Sequence, residues 1–297
     1  MFDLTEVMTH TCIERLQSGY REIYGNFKPE YPEIVGWVAN VVLEEIAHSD
    51  ALYHDVEHTI LVTLVGQEIL RGKQIREGNV SGDDWLHFIV SLLCHDIGYV
   101  KGVCRKDECD RRLYIIGFDD MAISLPLGAT DASLTPFHVN RSQIFAEEKF
   151  AGDGFINSDI VKQNIELTRF PVPADEAHKD TINYPGLTRA ADLIGQLSDP
   201  RYLQKIPALF CEFEETGMNK NLGYQNPGDL RYGYPNFFWN VAFPYIQYAL
   251  RYLETTLYGK EIIANLYSNV FQVEEELEVM GNIMANSQVR ADLSSKY

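Results

Sequence analysis

Apolar residues in this chain recur at helical spacing, and strand-like alternation is nearly absent, so the pattern predicts an all-α fold. Ile34, Val35, Val38, Val41, Val42 and Ile46 form one stripe, with Trp37 beside it. The run 58–70 is apolar enough for a deeply buried helix. Another helix is expected from Trp85 to about Asp96, capped by Asp83 or Asp84. Further helical patterns cover 141–150, a segment capped by Ser158 or Asp159, and then 188–197, 200–216, 237–258 and 262–284. Gly and Pro clusters at 126–128, 171–173, 185–186 and 223–233 read as loops between these segments. The stretch 101–136 is long and irregular, with Arg105, Lys106, Arg111 and Arg112 near its start. A segment of that length is either a lid over a site or a short ordered excursion.

The 297 residues suffice to bury a core without staples, and no repeat or low-complexity linker divides them. One compact helical domain over 1–297 is therefore expected, with its loops gathered on one side. Charge narrows the partners. Acidic residues number 43 and basic ones 25, a net charge of −18. Such a surface repels nucleic acid and anionic membranes, which need Lys and Arg to displace counterions. A small phosphate ester remains compatible if something local supplies positive charge. No run of about 18 apolar residues predicts a membrane span, and the acidic start carries no secretory signal. Five scattered cysteines fit reduced thiols, so a cytoplasmic protein is expected.

Four elements invite chemistry. His54 and His58 stand four apart, on one helix face, where they can share a metal or pair a ligand with a proton donor. They also fit two polar residues near a helix start. His95 and Asp96 follow the apolar run 88–93. Burying them is expensive unless they are paired or metal-bound. A His–Asp hydrogen bond closing the helix, with Gly98 as its stop, fits equally. Asp192 sits among small and apolar residues, as a ligand or as a surface acid paired with Arg189. His138 opens a helical pattern, as a site residue or an exposed loop residue. Taken together, these form a mixed nitrogen and oxygen set that suits Zn, Fe, Mn or Mg. Asp96 has two oxygens and can bridge two ions, a pair that clamps both oxygens of a phosphoryl displacement. Cations, not the global field, would then hold the phosphate.

The order His58, His95-Asp96 and Asp192 resembles the HD-domain metal-dependent phosphohydrolase superfamily. Several stretches look like the catalytic domain of class I cyclic-nucleotide phosphodiesterases. Tyr53-His54-Asp55-Val56-Glu57-His58 is similar to that family's Tyr-His-Asn-x-x-His, and His54 precedes His95 by 41 residues, close to the family's interval. Leu134-Thr135-Pro136-Phe137-His138 resembles its Leu-Glu-Asn-His-His segment. Ala191-Asp192-Leu193, followed by Ser198-Asp199-Pro200, resembles its Ala-Asp-Leu-Ser-Asn-Pro, with an insertion. Similarity covers roughly 50–215 and, more faintly, the helix after Phe237.

The resemblance implies an HD-type multi-helix bundle and one or two divalent ions, Mg, Mn, Fe or Zn. His58, His95, Asp96 and Asp192 would hold the first ion, and Asp96 would reach the second. His54 would donate a proton to the leaving oxygen. His138 would lie beside the second ion or its bridging water. The implied activity is hydrolysis of a small phosphate ester, of the nucleotide or phosphodiester class, by a metal-bound hydroxide. Three departures matter. Asp55 replaces the Asn. Ile97-Gly98-Tyr99 lacks the family's His and looks closer to bacterial HD proteins. Tyr234-Pro235-Asn236-Phe237 lacks the Gln that reads purine, so a cyclic purine nucleotide is not supported and no substrate-binding residue is assigned.

Other readings compete. An HD-fold di-iron oxygenase would need further histidines, for which His138 and His178 stand in the right interval, though His178 reads as exposed in a polar loop. A ligand-sensing HD domain that keeps its metals without turnover is a second alternative. A zinc peptidase would need Glu where Asp55 stands. Among Tyr53, Tyr99, Phe137, Phe237, Phe238, Trp239 and Tyr245, most are expected in the core. Glu274, Glu275, Glu276 and Glu278 read as a solvated helix face. The Tyr-rich stretch 224–234 is expected as a surface loop near the site or as a contact within a homo-oligomer.

Overall fold

The computed structural model describes residues 3–294, with side-chain surroundings for residues 3–281. The chain is mostly helical. In order it forms α1 (Leu4–Tyr24), α2 (Glu30–Ile46), α3 (Val56–Glu77) and α4 (Gly82–Cys94). A short hairpin follows, β1 (Leu113–Ile115) with β2 (Ala122–Ser124). Then come α5 (His138–Phe150), α6 (Ser158–Glu166), α7 (Tyr184–Leu197), α8 (Tyr202–Thr216) and α9 (Met218–Leu222). The last elements are α10 (Pro227–Phe237), α11 (Phe243–Leu253) and α12 (Leu257–Ser294). Among the described residues, no helix is long and apolar enough to cross a membrane.

Local chemistry sets the helix starts. Asp55 accepts the His58 N–H at 2.9 Å and so caps α3, which leaves His58 in the first turn and His54 outside the helix, not on the shared face expected. At α4 the cap is Ser81, not the expected Asp83 or Asp84. Asp84 instead closes a capping box, accepting the Ser81 N–H at 2.9 Å. Asn157, one residue before the expected Ser158, caps α6.

One continuous apolar core runs from Cys12, Leu16 and Tyr20 of α1 through α2, α3, α4, α7 and α11 to Val270 and Val273 of α12. Helix α3 lies deep in it. Helix α7 crosses α3 at Gly195, where a Cβ would stand 2.7 Å from the Val62 Cα. That close approach brings His58 of α3 and Asp192 of α7 to one place. The sequence pattern did not announce α1, because most of its surface is exposed and only Cys12, Leu16 and Tyr20 are buried.

Four loop and helix expectations are corrected. Pro185 and Gly186, expected as a loop, lie in the first turn of α7. The stretch 223–233 contains most of α10, which Pro227 opens at a position needing no N–H. The expected helix 237–258 stops at Leu253, and Leu257 and Tyr258 already belong to α12. A π-turn spans Phe238–Ala242, and the Phe243 N–H reaches back to the Phe238 carbonyl just before Pro244, which has no N–H to give. The excursion 101–136 holds the antiparallel hairpin, registered Leu113↔Ser124, Tyr114↔Ile123 and Ile115↔Ala122. Strands of three residues are too short to show alternation. The excursion is also tied down. Arg141 pairs with Asp107 at 2.8 Å, Lys101 Nζ reaches the Ala129 carbonyl at 2.7 Å, and Thr130 and Ser133 both bond Glu215. On α12, Glu274 accepts from Trp239 Nε1 at 2.7 Å and Glu276 pairs with Arg231 at 2.7 Å, so two of the four acids expected to be solvated have partners.

Candidate metal centre

Two helix ends and the body of a third helix deliver the polar cluster. His58 comes from the first turn of α3, His95 and Asp96 follow the last residue of α4, and Asp192 projects from α7. The Nε2 atoms of His58 and His95 each lie 3.1 Å from Asp96 Oδ2 and 3.6 Å from Asp192 Oδ1. Atoms held about 2.1 Å from one cation stand roughly 3 Å from one another. Despite this proximity, His58 Nε2, His95 Nε2 and Asp96 Oδ2 are sealed from solvent and have no hydrogen-bond partner. A buried lone pair left without a positive partner costs about 1–3 kcal/mol, and a proton or a cation between these atoms supplies one. Two imidazole nitrogens and two carboxylates are the donor set of a divalent ion, so the residues fit one.

The outer ring atoms are tethered. His95 Nδ1 donates to the Leu92 carbonyl at 2.7 Å, which in the neutral ring leaves Nε2 as a lone pair aimed at the cluster. His138, the first residue of α5, does the same with the Thr135 carbonyl at 2.6 Å, and its Nε2 lies 3.8 Å from Asp96 Oδ1. Asp96 thus turns one oxygen to His58 and His95 and the other toward His138. His54, His58 and Asp96 also bring ligand atoms within 4.8 Å of one another.

Among themselves these groups shift in opposite directions. Burial works against charge on His58, but the Asp192 and Asp96 carboxylates outweigh it and raise the ring to about 9. His95 rises in the same way, burial being overcome chiefly by Asp96. Burial pushes Asp192 upward, yet the His58 and His95 rings pull it down to about 2. The protons so favoured sit on the nitrogens a cation would use, so cation and proton compete for them.

His54 is built differently. Its Nδ1 lies 2.6 Å from Glu212 Oε2, while Glu212 Oε1 accepts the Tyr53 N–H at 2.6 Å and the His54 N–H at 3.3 Å. Glu212 is 4% exposed, and it fixes both the backbone and the ring of His54. Burial lowers the His54 pKa, but Glu212 more than offsets it, and the net shift is upward. The His54 and Asp192 side chains, at 15% and 20% exposure, are the most open in the cluster, so solvent and ligand enter beside them.

The turn after Asp96 is gripped by α5. A Cβ at Gly98 would stand 2.0 Å from the His138 carbonyl oxygen, so only glycine fits. The Gly98 N–H donates to Ser142 Oγ at 2.9 Å, and that hydroxyl donates to the His95 carbonyl at 2.7 Å. Gly98 is therefore a close-approach residue and not the expected helix stop, since α4 ends at Cys94 and a 3-10 turn runs on over Ile97–Tyr99.

The structure gathers His54, His58, His95, Asp96, His138 and Asp192 in one place. It separates two other residues. Arg189 does not pair with Asp192; it donates to the His178 and Asp180 carbonyls and lies on the Tyr245 ring, 4.1 Å from its centroid. His178 is buried, not exposed, and its nitrogens face Asp175 at 2.8 Å and Glu166 at 3.3 Å. Glu212 went unrecognised as a site residue, although an acid in the apolar pattern of α8 was a signal.

The Npun_R2479-like family matches residues 2–276, a span that includes every candidate ligand. The chain belongs to the Npun_R2479-like family. No curated protein matches it. In this member of the Npun_R2479-like family, a cleft of about 500 Å3 also opens away from the cluster, lined by His87, Phe150, Asn157, Asn164 and Tyr184. Its buried histidine is already satisfied, with His87 Nδ1 at 2.6 Å from the Asp83 carbonyl and Nε2 accepting the Asn157 N–H at 2.9 Å. Size alone marks that cleft; unpaired polar atoms mark the cluster around Asp96.

Proposed function

We propose that this chain is a metal-dependent phosphoester hydrolase with an HD-type helical core, acting on a small phosphate ester of the nucleotide or phosphodiester class. The observation that carries this reading is the convergence of His58, His95, Asp96 and Asp192, with two ring nitrogens and one carboxylate oxygen buried and unpaired. Divalent cations held there would neutralise phosphoryl charge and lower the pKa of a water. His58, His95, Asp96 Oδ2 and Asp192 would hold one; Asp96 Oδ1 and His138 face the place of a second. The overall charge of −18 supports the same division of labour, because the protein itself brings little positive field to a phosphate.

The chain's own contribution to chemistry is proton delivery and alignment. Glu212 takes the Nδ1 side of His54, so Nε2 is the nitrogen that carries a proton to the leaving oxygen. An imidazole oriented by a buried carboxylate is a proton-transfer device, which favours turnover over ligand sensing. The oxygenase reading has less support, because His178 is engaged by Asp175 and Glu166. Tyr234, at 2% exposure, offers no contact for a base at the place where a purine-reading residue would stand.

Elemental analysis of the purified chain, with turnover of bis(p-nitrophenyl) phosphate, p-nitrophenyl phosphate and a nucleotide and dinucleotide panel, tests the proposal. Metal and activity should appear together. His54→Ala should keep its metal and lose about 10²- to 10⁴-fold on poor leaving groups. Failure to bind any divalent cation, or equal activity of His54→Ala on good and poor leaving groups, would overturn it.

A further inference from the structure

Tyr99 stands between the two site histidines that lie outside the pair formed by His58 and His95. Its ring centroid is 4.3 Å from that of His54 at an interplanar angle of 14°, and 4.6 Å from that of His138 at 24°. The three rings form one near-parallel stack. Tyr99 is 2% exposed, and its hydroxyl lies 3.4 Å from His54 Nε2. Both outer rings are tethered at Nδ1, His54 to Glu212 and His138 to the Thr135 carbonyl. A tether at one nitrogen leaves an imidazole free to swing about that bond. A flat ring against its face removes the swing. Tyr99 supplies that face to both histidines at once.

The backbone holds Tyr99 where this needs it. Tyr99 ends the 3-10 turn Ile97–Tyr99, and the residues around it are fastened to α5 through Gly98 N–H to Ser142 Oγ and Arg141 Nε to the Gly98 carbonyl at 2.7 Å. The same helix carries His138. Stack and clamp are thus one rigid body.

We propose that Tyr99 is a positioning residue: clasped between His54 and His138, it fixes both ring planes. The inference rests on the reading of His54 as proton donor, and it predicts two separable effects. Tyr99→Phe keeps the stack and loses only the hydroxyl. Tyr99→Met keeps similar bulk and loses the flat face.

The test is NMR of histidine ring signals in the full chain, alongside elemental analysis and turnover. In the wild-type chain, ring protons of His54 and His138 should be shifted upfield by the Tyr99 ring and show cross-peaks to it; absence of both overturns the proposal without any variant. The His54 Nδ1–H signal should stay in place in Tyr99→Phe and move or broaden in Tyr99→Met, with bound metal equal to wild type in each. Turnover of a dinucleotide, a poor leaving group, should fall roughly 10- to 100-fold in Tyr99→Met, and turnover of bis(p-nitrophenyl) phosphate less than about twofold. Unmoved ring signals in Tyr99→Met, or equal movement in Tyr99→Phe, overturn the positioning role. If the ring signals behave as expected while no phosphoester is hydrolysed by any form, the hydrolase reading has failed and the stack stands.

Discussion

Two buried polar clusters share the turn around Gly98, and they are built in opposite ways. Around Arg141, all five guanidinium N–H groups are used: Nε on the Gly98 carbonyl, the other four on the Ile115 and Val100 carbonyls and both oxygens of Asp107. Neither side chain of that ion pair is exposed, and nothing is left wanting. Around Asp96, equally buried, two ring nitrogens and a carboxylate oxygen have no partner. A fold that satisfies one cluster completely a few residues from another left unsatisfied is not short of donors and acceptors. The contrast singles out the second cluster as the one whose donor set suits a cation, whereas the first is a fastening.

The sharpest way to break that contrast is Asp96→Ala. Bound metal and hydrolysis should both fall to background, and a chelator that destabilises the wild-type chain should leave this variant's unfolding midpoint unmoved. At a cation concentration of 100 Kd the wild-type loss on chelation is about 2.7 kcal/mol. Arg141→Met should behave in the reverse sense. Stranding Asp107 costs about 3–5 kcal/mol in urea unfolding, while metal per folded molecule, by elemental analysis, stays near wild type. Loss of metal without loss of stability in Arg141→Met would erase the distinction. Glu212→Gln should lie between the two. It keeps an amide oxygen for the His54 ring but removes the charge, so turnover of poor leaving groups falls roughly 10- to 100-fold at full metal content. The smallest effect belongs to Arg201→Ala. Its ion pair with Glu57 is more than half exposed on the arginine side, and its loss should shift stability by less than about 1 kcal/mol and activity not at all.

What the sequence disclosed was incongruity. His95 and Asp96 stand out because they end an apolar run, and His54 and His58 because they stand four apart, although His54 lies before α3 and not on it. Asp192 stands out as an acid among small residues. Residues whose role depends on distant partners stayed hidden. Glu212 meets His54 across 158 positions, and although it is an acid in the apolar pattern of α8, nothing local names its partner. Arg141 sits in a polar stretch that reads as surface, yet it is fully buried, because Asp107 and three carbonyls wait for it inside. The helical class followed from periodicity, while the hairpin at 113–124, the π-turn at 238–242 and helix α10 did not, since each is short or opened by a proline.

Helix α5 carries His138 at its first residue, grips the Gly98 turn in its first two turns, and leans on α6 along its outer side, where Gln143 bonds the Lys162 carbonyl and Glu147 meets Lys162. It therefore acts as a lever whose short arm lies at the ligands and whose long arm is a solvent-facing seam. A substitution along that seam therefore bears, through one helix, on a residue that stands 3.8 Å from Asp96.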